Sequence, residues 1–451
     1  MTNNRLPQQV KQLFIVGLAI SSMLCVESQS WRGKPDYVPD YFQYIRMGIE
    51  YLCLNIIYVI WLVLKLKKTQ ETDKSPSFYS VLKFSTPFLL IAFIAYPTTA
   101  DIYTYLHSGL MTLNGLNPYL VPAGKFDSII SPFLAWYQTS TYGPVSQVLF
   151  AIAAWFTPVS IVLGVYVFKL LCLLFHIGNS YFIGIQLKGS RYQAAIAGGY
   201  LLTPILLFEH VAQAHVDVFL STILIILIAC LRQQRYILSV VFSWIGFLCK
   251  TLPIIWLPLV LLLIIRRRRW KILLLSACFS LILIATLSFS ILPDYKAWIS
   301  LLNSGVIWQT AGSFHNILEV VLHYLQSFLP KAISGEKSYR LVIPFKGLTY
   351  LGYIIFYIWL LLRAYFKKSY TENHLILDMG WATLILFLFA TPWYQPWYAS
   401  ILLPLVALLI TTPFHRQSLL FIFASLIFCL SSTSYHLLSV PGGQPVLFWN
   451  C

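Results

Sequence analysis

Apolar runs long enough to cross a bilayer recur from one end of this chain to the other, and that recurrence decides the fold class before any motif is read. A crossing helix takes about 20 apolar residues, because without water every backbone N–H and C=O must be satisfied inside the segment. On that measure helices are predicted near residues 10–28, 43–64, 79–98, 160–187, 193–209, 214–231, 236–249, 251–265, 270–292, 344–363, 375–391, 396–411 and 417–436. Residues 145–157 are apolar but only about a dozen long, and Thr157-Pro158 ends them, which suits a re-entrant, interfacial or truly crossing segment; they are taken as non-spanning because a crossing there would put the RRRRWK run outside. The first run, Leu13 to Val26, follows basic residues as a signal peptide would, but no small-x-small cleavage site follows it, which favours an uncleaved helix. The expectation is an all-α, polytopic transmembrane bundle of about 13 helices, with residues 1–451 forming one integral membrane domain.

The formal net charge of +16 raises the question of nucleic acid. The basic residues, however, gather in short loops between apolar runs and form no groove, which excludes that partner and sets topology instead. With the N-terminus inside, 20 of the 31 Lys and Arg residues fall at cytoplasmic ends, among them the RRRRWK run at 266–271. Two long segments then face outward, 99–144 and 293–343. The second contains FHNILEVVLHYLQSFL from Phe314 to Leu329, whose apolar residues recur at helical spacing, as in a helix lying in the interface. The Trp/Tyr-rich run TPWYQPWY at 391–398 completes the outer surface, or is an ordinary membrane belt. Of the eight Cys, seven lie in apolar helices without CxxC or ligand-spaced His, as small core hydrophobes do. No GxxxxGK[ST], no GxGxxG after a strand and no DxD occurs, so an activated sugar is expected to be lipid-borne.

The third helix runs out at Pro97, and Asp101 follows it, with Tyr103, Tyr105 and His107 behind. A carboxylate at the mouth of a helix, partly desolvated beside aromatic rings, can take a proton from a sugar hydroxyl. Equally, it can be a solvated residue opening a helix DIYTYLHSGLMTLNG. EHVAQAHVD places Glu209, His210, Gln213, His215 and Asp217 within nine positions, suited to sugar hydroxyls or phosphate. His210 alone is as readily structural, and His215 with Asp217 lacks a third metal ligand. Lys250 ends an apolar run where an unpartnered cation costs about 2.5–3.5 kcal/mol, so it either faces an anion or snorkels to headgroups. Lys169, in mid-helix, is a second candidate phosphate partner. Trp308, Gln309, His315 and Asn316 offer a ring and hydrogen-bonding groups.

These pieces also resemble a known family. Asp101, Tyr103 and Tyr105, Gly109, the NGLNPY run from Asn114 to Tyr119 and the TYGP run from Thr141 to Pro144 are similar, in that order, to the first outer loop of GT-C-fold glycosyltransferases. Within that fold they are closest to polyprenyl-phosphate-mannose-dependent mannosyltransferases. FEHVAQAHVDVF, CKTLPIIWLP and PWYQPWY continue the likeness over roughly residues 97–404. One departure is that the family's loop reads N.HND or similar where this chain has Gln213, His215, Val216 and Asp217.

The resemblance implies an inverting hexosyltransferase. Asp101 would act as the base, with Lys250, His210, His215, Gln213, Asp217, Tyr103, Tyr105, Tyr142 and His315 around donor phosphate and sugar. It implies no metal or other cofactor, a polyprenyl-phosphate-linked sugar donor, a glycolipid or glycan acceptor, and a bacterial plasma membrane rather than the ER, with chemistry on the outer side. The competing reading is a transporter or flippase of lipid-linked sugars, which would carry its ionisable residues in broken helices near the midplane.

Overall fold

A computed structural model describes residues 5–34, 40–70, 76–302, 310, 312–326, 338–410 and 412–438. Among the described residues the protein is helical throughout, without a strand. Six helices among the described residues are long and apolar enough to cross a membrane, and a seventh crossing is available as a bent pair. The chain is therefore a helical membrane protein, as the apolar runs require. It forms two compact units: Met1–Tyr137, Val145–Ile225 and Leu430–Cys451 in one, Gln138–Pro144 and Ile226–Cys429 in the other.

The first unit contains α1 (Arg5–Ser28), α2 (Tyr41–Gln70), α3 (Phe78–Ile94), α4 (Asp101–Leu113), α5 (Pro144–Ala154), α6 (Ile161–Gln186), α7 (Gln193–Leu202), α8 (Pro204–Leu206) and the start of α9 (Asp217–Arg232). Helix α3 stops at Ile94, short of the expected residue 98. Pro97 disfavours helical geometry at Tyr96, and Ala95 already turns out with ψ 136°. The run expected as one helix over 193–209 is broken at Thr203, whose φ of −59° and ψ of 119° follow from the proline after it. The two arms bend by 44°, and α8 continues into a π-helical turn, Leu207–Ala212. Helix α5 has 11 residues, about 16 Å at 1.5 Å per residue, half a hydrocarbon core. It lies against α4 so closely that a Cβ on Gly109 would meet the Phe150 carbonyl oxygen at 2.5 Å.

The second unit contains the rest of α9, α10 (Tyr236–Cys249), α11 (Leu257–Arg266), α12 (Trp270–Ser290), α13 (Tyr295–Leu302), α14 (Phe314–Gln326), α15 (Ser338–Phe366), α16 (Glu372–Ile385), α17 (Leu402–Leu408) and α18 (Pro413–Leu438) as far as Cys429. Helix α13 interrupts what looked like continuous loop, because Asp294 caps it, its Oδ1 accepting from the Ala297 N–H at 2.9 Å. Helix α14 starts at Phe314, where its periodicity begins. Trp308, Gln309 and the end of the FHNILEVVLHYLQSFL run lie outside the described residues. The TYGP turn belongs to this unit: the Gly143 N–H donates to the Cys249 carbonyl at 3.2 Å, and any side chain there would collide with Leu248.

Candidate active site

The turn between α3 and α4 has no regular structure, so each of its polar backbone groups needs a partner from elsewhere. Those partners come from three other elements. The Ile94 carbonyl accepts from Gln29 Nε2 at 3.0 Å and from the Tyr166 hydroxyl at 2.8 Å. The Tyr96 N–H donates to Ser28 Oγ at 2.9 Å. The Thr98 and Thr99 N–H groups both donate to Gln213 Oε1, at 2.8 and 3.2 Å, while Gln213 Nε2 donates to Thr98 Oγ1 at 2.7 Å. Lys169, fully buried in α6, donates to the carbonyls of Ala92 (3.2 Å), Ala95 and Ala212 (3.0 Å). The approach to Asp101 is thus fastened to α1, to α6 and to the end of the π-helical turn.

Asp101 is the first residue of α4, with Ala100 as its N-cap. There the carboxylate lies at the positive end of the helix macrodipole. It opens a helix, as one reading of the sequence had it, but it is not solvated, being only 7% exposed.

Facing it is His215, which no straight helix would bring there. The π-helical turn, followed by Ala214 with φ at 58°, curls the chain so that the His215 N–H donates to the Glu209 carbonyl at 2.9 Å. The ring ends up between two carboxylates, Nδ1 3.5 Å from Asp101 Oδ2 and Nε2 3.3 Å from Glu209 Oε2, with no exposed side-chain surface. Burial disfavours charge on this ring, but the flanking Asp101 and Glu209 overcome that and push its pKa up to about 9. The residue lies in the connection 213–216, beyond the helical spans. Asp217, also buried, opens α9 in the same manner as Asp101 opens α4.

The other expected residues of this unit are distributed less uniformly. The Tyr103 hydroxyl lies 3.2 Å from that of Tyr96, and burial keeps its pKa far above the ordinary tyrosine value, so it stays protonated. Tyr105 stacks on Phe150 at 4.7 Å with the rings 3° from parallel, inside the helix packing. His107 bonds Ser128 Oγ at 2.9 Å and the Ala123 carbonyl at 3.0 Å, holding the loop after α4, and burial depresses its pKa. His210 is fully buried, its ring 6.0 Å from that of His176.

Lys250, Tyr142 and His315 belong to the second unit. Lys250 caps α10 in extended geometry, with its ammonium 4.3 Å from the centroid of the Tyr398 ring. Tyr142 precedes the glycine of the TYGP turn. His315 Nε2 bonds Thr349 Oγ1 at 2.7 Å, tying α14 to α15. In the run 391–398, Tyr394 and Trp397 are buried, so those two rings are packing, not a belt facing lipid.

Glu209 is the residue that sequence reasoning undervalued: it was one member of a polar cluster, and helix periodicity places positions 209 and 215 on different faces. The signal that could have found it is Pro204, which interrupts the helix before the cluster. Among the described residues, no three His, Cys, Asp or Glu side chains are arranged to hold a metal ion. A broken helix carrying ionisable residues is also what a transporter would show. Comparison with known proteins weighs against that reading. The family model described as the N-terminal domain of alpha-(1->6)-mannopyranosyltransferases matches residues 14–266, more than half of the chain. No curated protein and no solved structure matches.

Proposed function

The chain belongs to the family of alpha-(1->6)-mannopyranosyltransferases, and from that premise we propose that it transfers mannose, with inversion, from a polyprenyl-phosphate donor to a hydroxyl of a glycan or glycolipid on the non-cytoplasmic face. Asp101 is the base. Its carboxylate takes the proton of the acceptor hydroxyl as the oxygen bonds to the anomeric carbon. The bond from that carbon to the phosphate oxygen breaks, and its electron pair leaves with the lipid phosphate. Charge developing on that phosphate calls for a cation, the role assigned to Lys250.

The observation that carries this reading is the setting of Asp101: a nearly buried carboxylate at a helix N-terminus, on a turn whose backbone is held by Gln213. A general base gains from a fixed position as much as from basicity. The lipid-borne donor rests on the absence of nucleotide-binding motifs in the sequence, and the outward face on the distribution of basic residues.

The test is to incubate purified protein with labelled polyprenyl-phosphate mannose and a panel of glycolipid and glycan acceptors. An alpha-linked product is expected, with Asp101→Asn slowing turnover by about 10²- to 10⁴-fold while extraction and monodispersity stay unchanged. Product from a nucleotide-sugar donor, or near-normal turnover in Asp101→Asn, overturns the reading.

A further inference from the structure

Asp101 has a second carboxylate behind it, and the ring between them determines what that carboxylate does. Each His215 nitrogen faces one carboxylate. Neutral imidazole has only one N–H and would turn a lone pair toward one of the two acids; the imidazolium offers an N–H to each. The arrangement is built into the backbone, since the His215 N–H to Glu209 carbonyl bond and the left-handed Ala214 set the ring over the π-helical turn. Around the ring stand Asp101 from α4 and Glu209 and His210 from the turn, while Asp217 of α9 and Tyr51 of α2 face Glu209.

We propose that Glu209 is a positioning residue for the transfer: through the His215 ring it holds a positive charge against Asp101, keeping that carboxylate aimed until the acceptor hydroxyl arrives. The inference rests on Asp101 being the base. Charge balance explains why a second acid is needed. Before transfer the set holds two carboxylates and one imidazolium. Once the acceptor proton has moved to Asp101, the ring would be an isolated buried cation, a costly state, unless Glu209 remained to neutralise it. Glu209 therefore lowers the charge penalty of the protonated state of the base without touching either substrate.

His215 is charged up to about 9, against an ordinary value near 6.5. Its contribution is therefore complete below about 6.5 and is lost as pH rises through about 9. Turnover by the full-length protein in detergent, measured from pH 6 to 10, should fall along an alkaline limb near 9. In Glu209→Gln that limb should move down by about 1–3 pH units, each unit a tenfold loss of charged ring above the limb, with the KM for donor and for acceptor unchanged. Glu209→Asp should recover part of the shift.

A limb that stays in place in Glu209→Gln, or a rise in donor KM at constant kcat, overturns the inference, the latter because Glu209 would then be a ligand contact. Should Glu209→Gln fail to fold, a wild-type profile without any alkaline limb, or a Glu209→Asp limb coincident with wild type, overturns it equally. Asp101→Asn separates the two levels. If that variant is dead while Glu209→Gln behaves as wild type, only the role of Glu209 fails; if it turns over normally, the assignment of the base itself has failed.

Discussion

Lys169 and Lys250 look alike in sequence, each a single cation set into an apolar helix, and they meet opposite surroundings. Lys169 is fully buried, with its three N–H groups directed to the carbonyls of Ala92, Ala95 and Ala212. An ammonium has three donors, so nothing is left for a phosphate. Lys250 stands half-buried at the end of α10, with the face of Tyr398 beneath its charge. Both ammonium groups lie where helices end and carbonyls lose their intrahelical partners, Lys169 by reaching from mid-helix to the ends of other elements. The difference is in what the broken ends offer. At Lys169 two helical ends, those of α3 and the π-helical turn, converge and saturate the cation. At Lys250 one helix ends beside an aromatic ring. A buried cation in a membrane helix is thus no signature of a ligand site until the carbonyls around it have been accounted for.

The sharpest way to break this comparison is Lys169→Met, which keeps the length of the side chain and removes its donors. Three carbonyls then lose a charged partner in a dry interior, and the turn before Asp101 loses one of its fastenings. The expected cost is about 3–5 kcal/mol, seen as a collapse in the yield of monodisperse protein and a lower melting temperature in detergent. If the variant melts as wild type does and loses only donor affinity, Lys169 is the phosphate ligand and the comparison inverts.

Lys250→Ala should do the reverse. The fold should hold, because only a half-buried cap is lost. A charge-assisted hydrogen bond to a phosphate is worth about 1.5–3 kcal/mol, so donor KM should rise about 10- to 100-fold, with acceptor KM unchanged and Lys250→Arg retaining most of the affinity. A donor KM equal to wild type would return Lys250 to the snorkelling alternative.

The contrast between the two lysines shows where the sequence was legible and where it was not. Local signals were sound. The start of a helix at Asp101 and the start of α14 at Phe314 follow from residues within a few positions of each other. So do the apolar runs, because the demand for internal hydrogen bonding in lipid acts segment by segment. What escaped is non-local. Gln213 meets Thr98 across 115 positions, and Lys169 meets Ala92 across 77. The pairing of Glu209 with His215 depends on a π-helical turn and a left-handed alanine that no periodicity describes. Tyr105, which matched the family pattern beside Asp101, stacks its ring on Phe150, a packing contact that no local pattern describes.

The smallest expected effect tests the ring beneath Lys250. A cation over an aromatic face is worth about 0.5–2 kcal/mol, depending on how far it is desolvated. Removing the ring in Tyr398→Leu should therefore raise donor KM by roughly 2- to 30-fold, without changing the melting temperature. Tyr398→Phe keeps the face and should stay close to wild type. If Phe and Leu behave alike, the hydroxyl and not the ring supports the cation. The double variant Lys250→Ala, Tyr398→Leu decides between these: when the ring acts only through the ammonium, the second change adds nothing to the first. Full additivity would mean that Tyr398 contacts the donor independently, and the cation–ring pair would then be a consequence of packing at the end of α10.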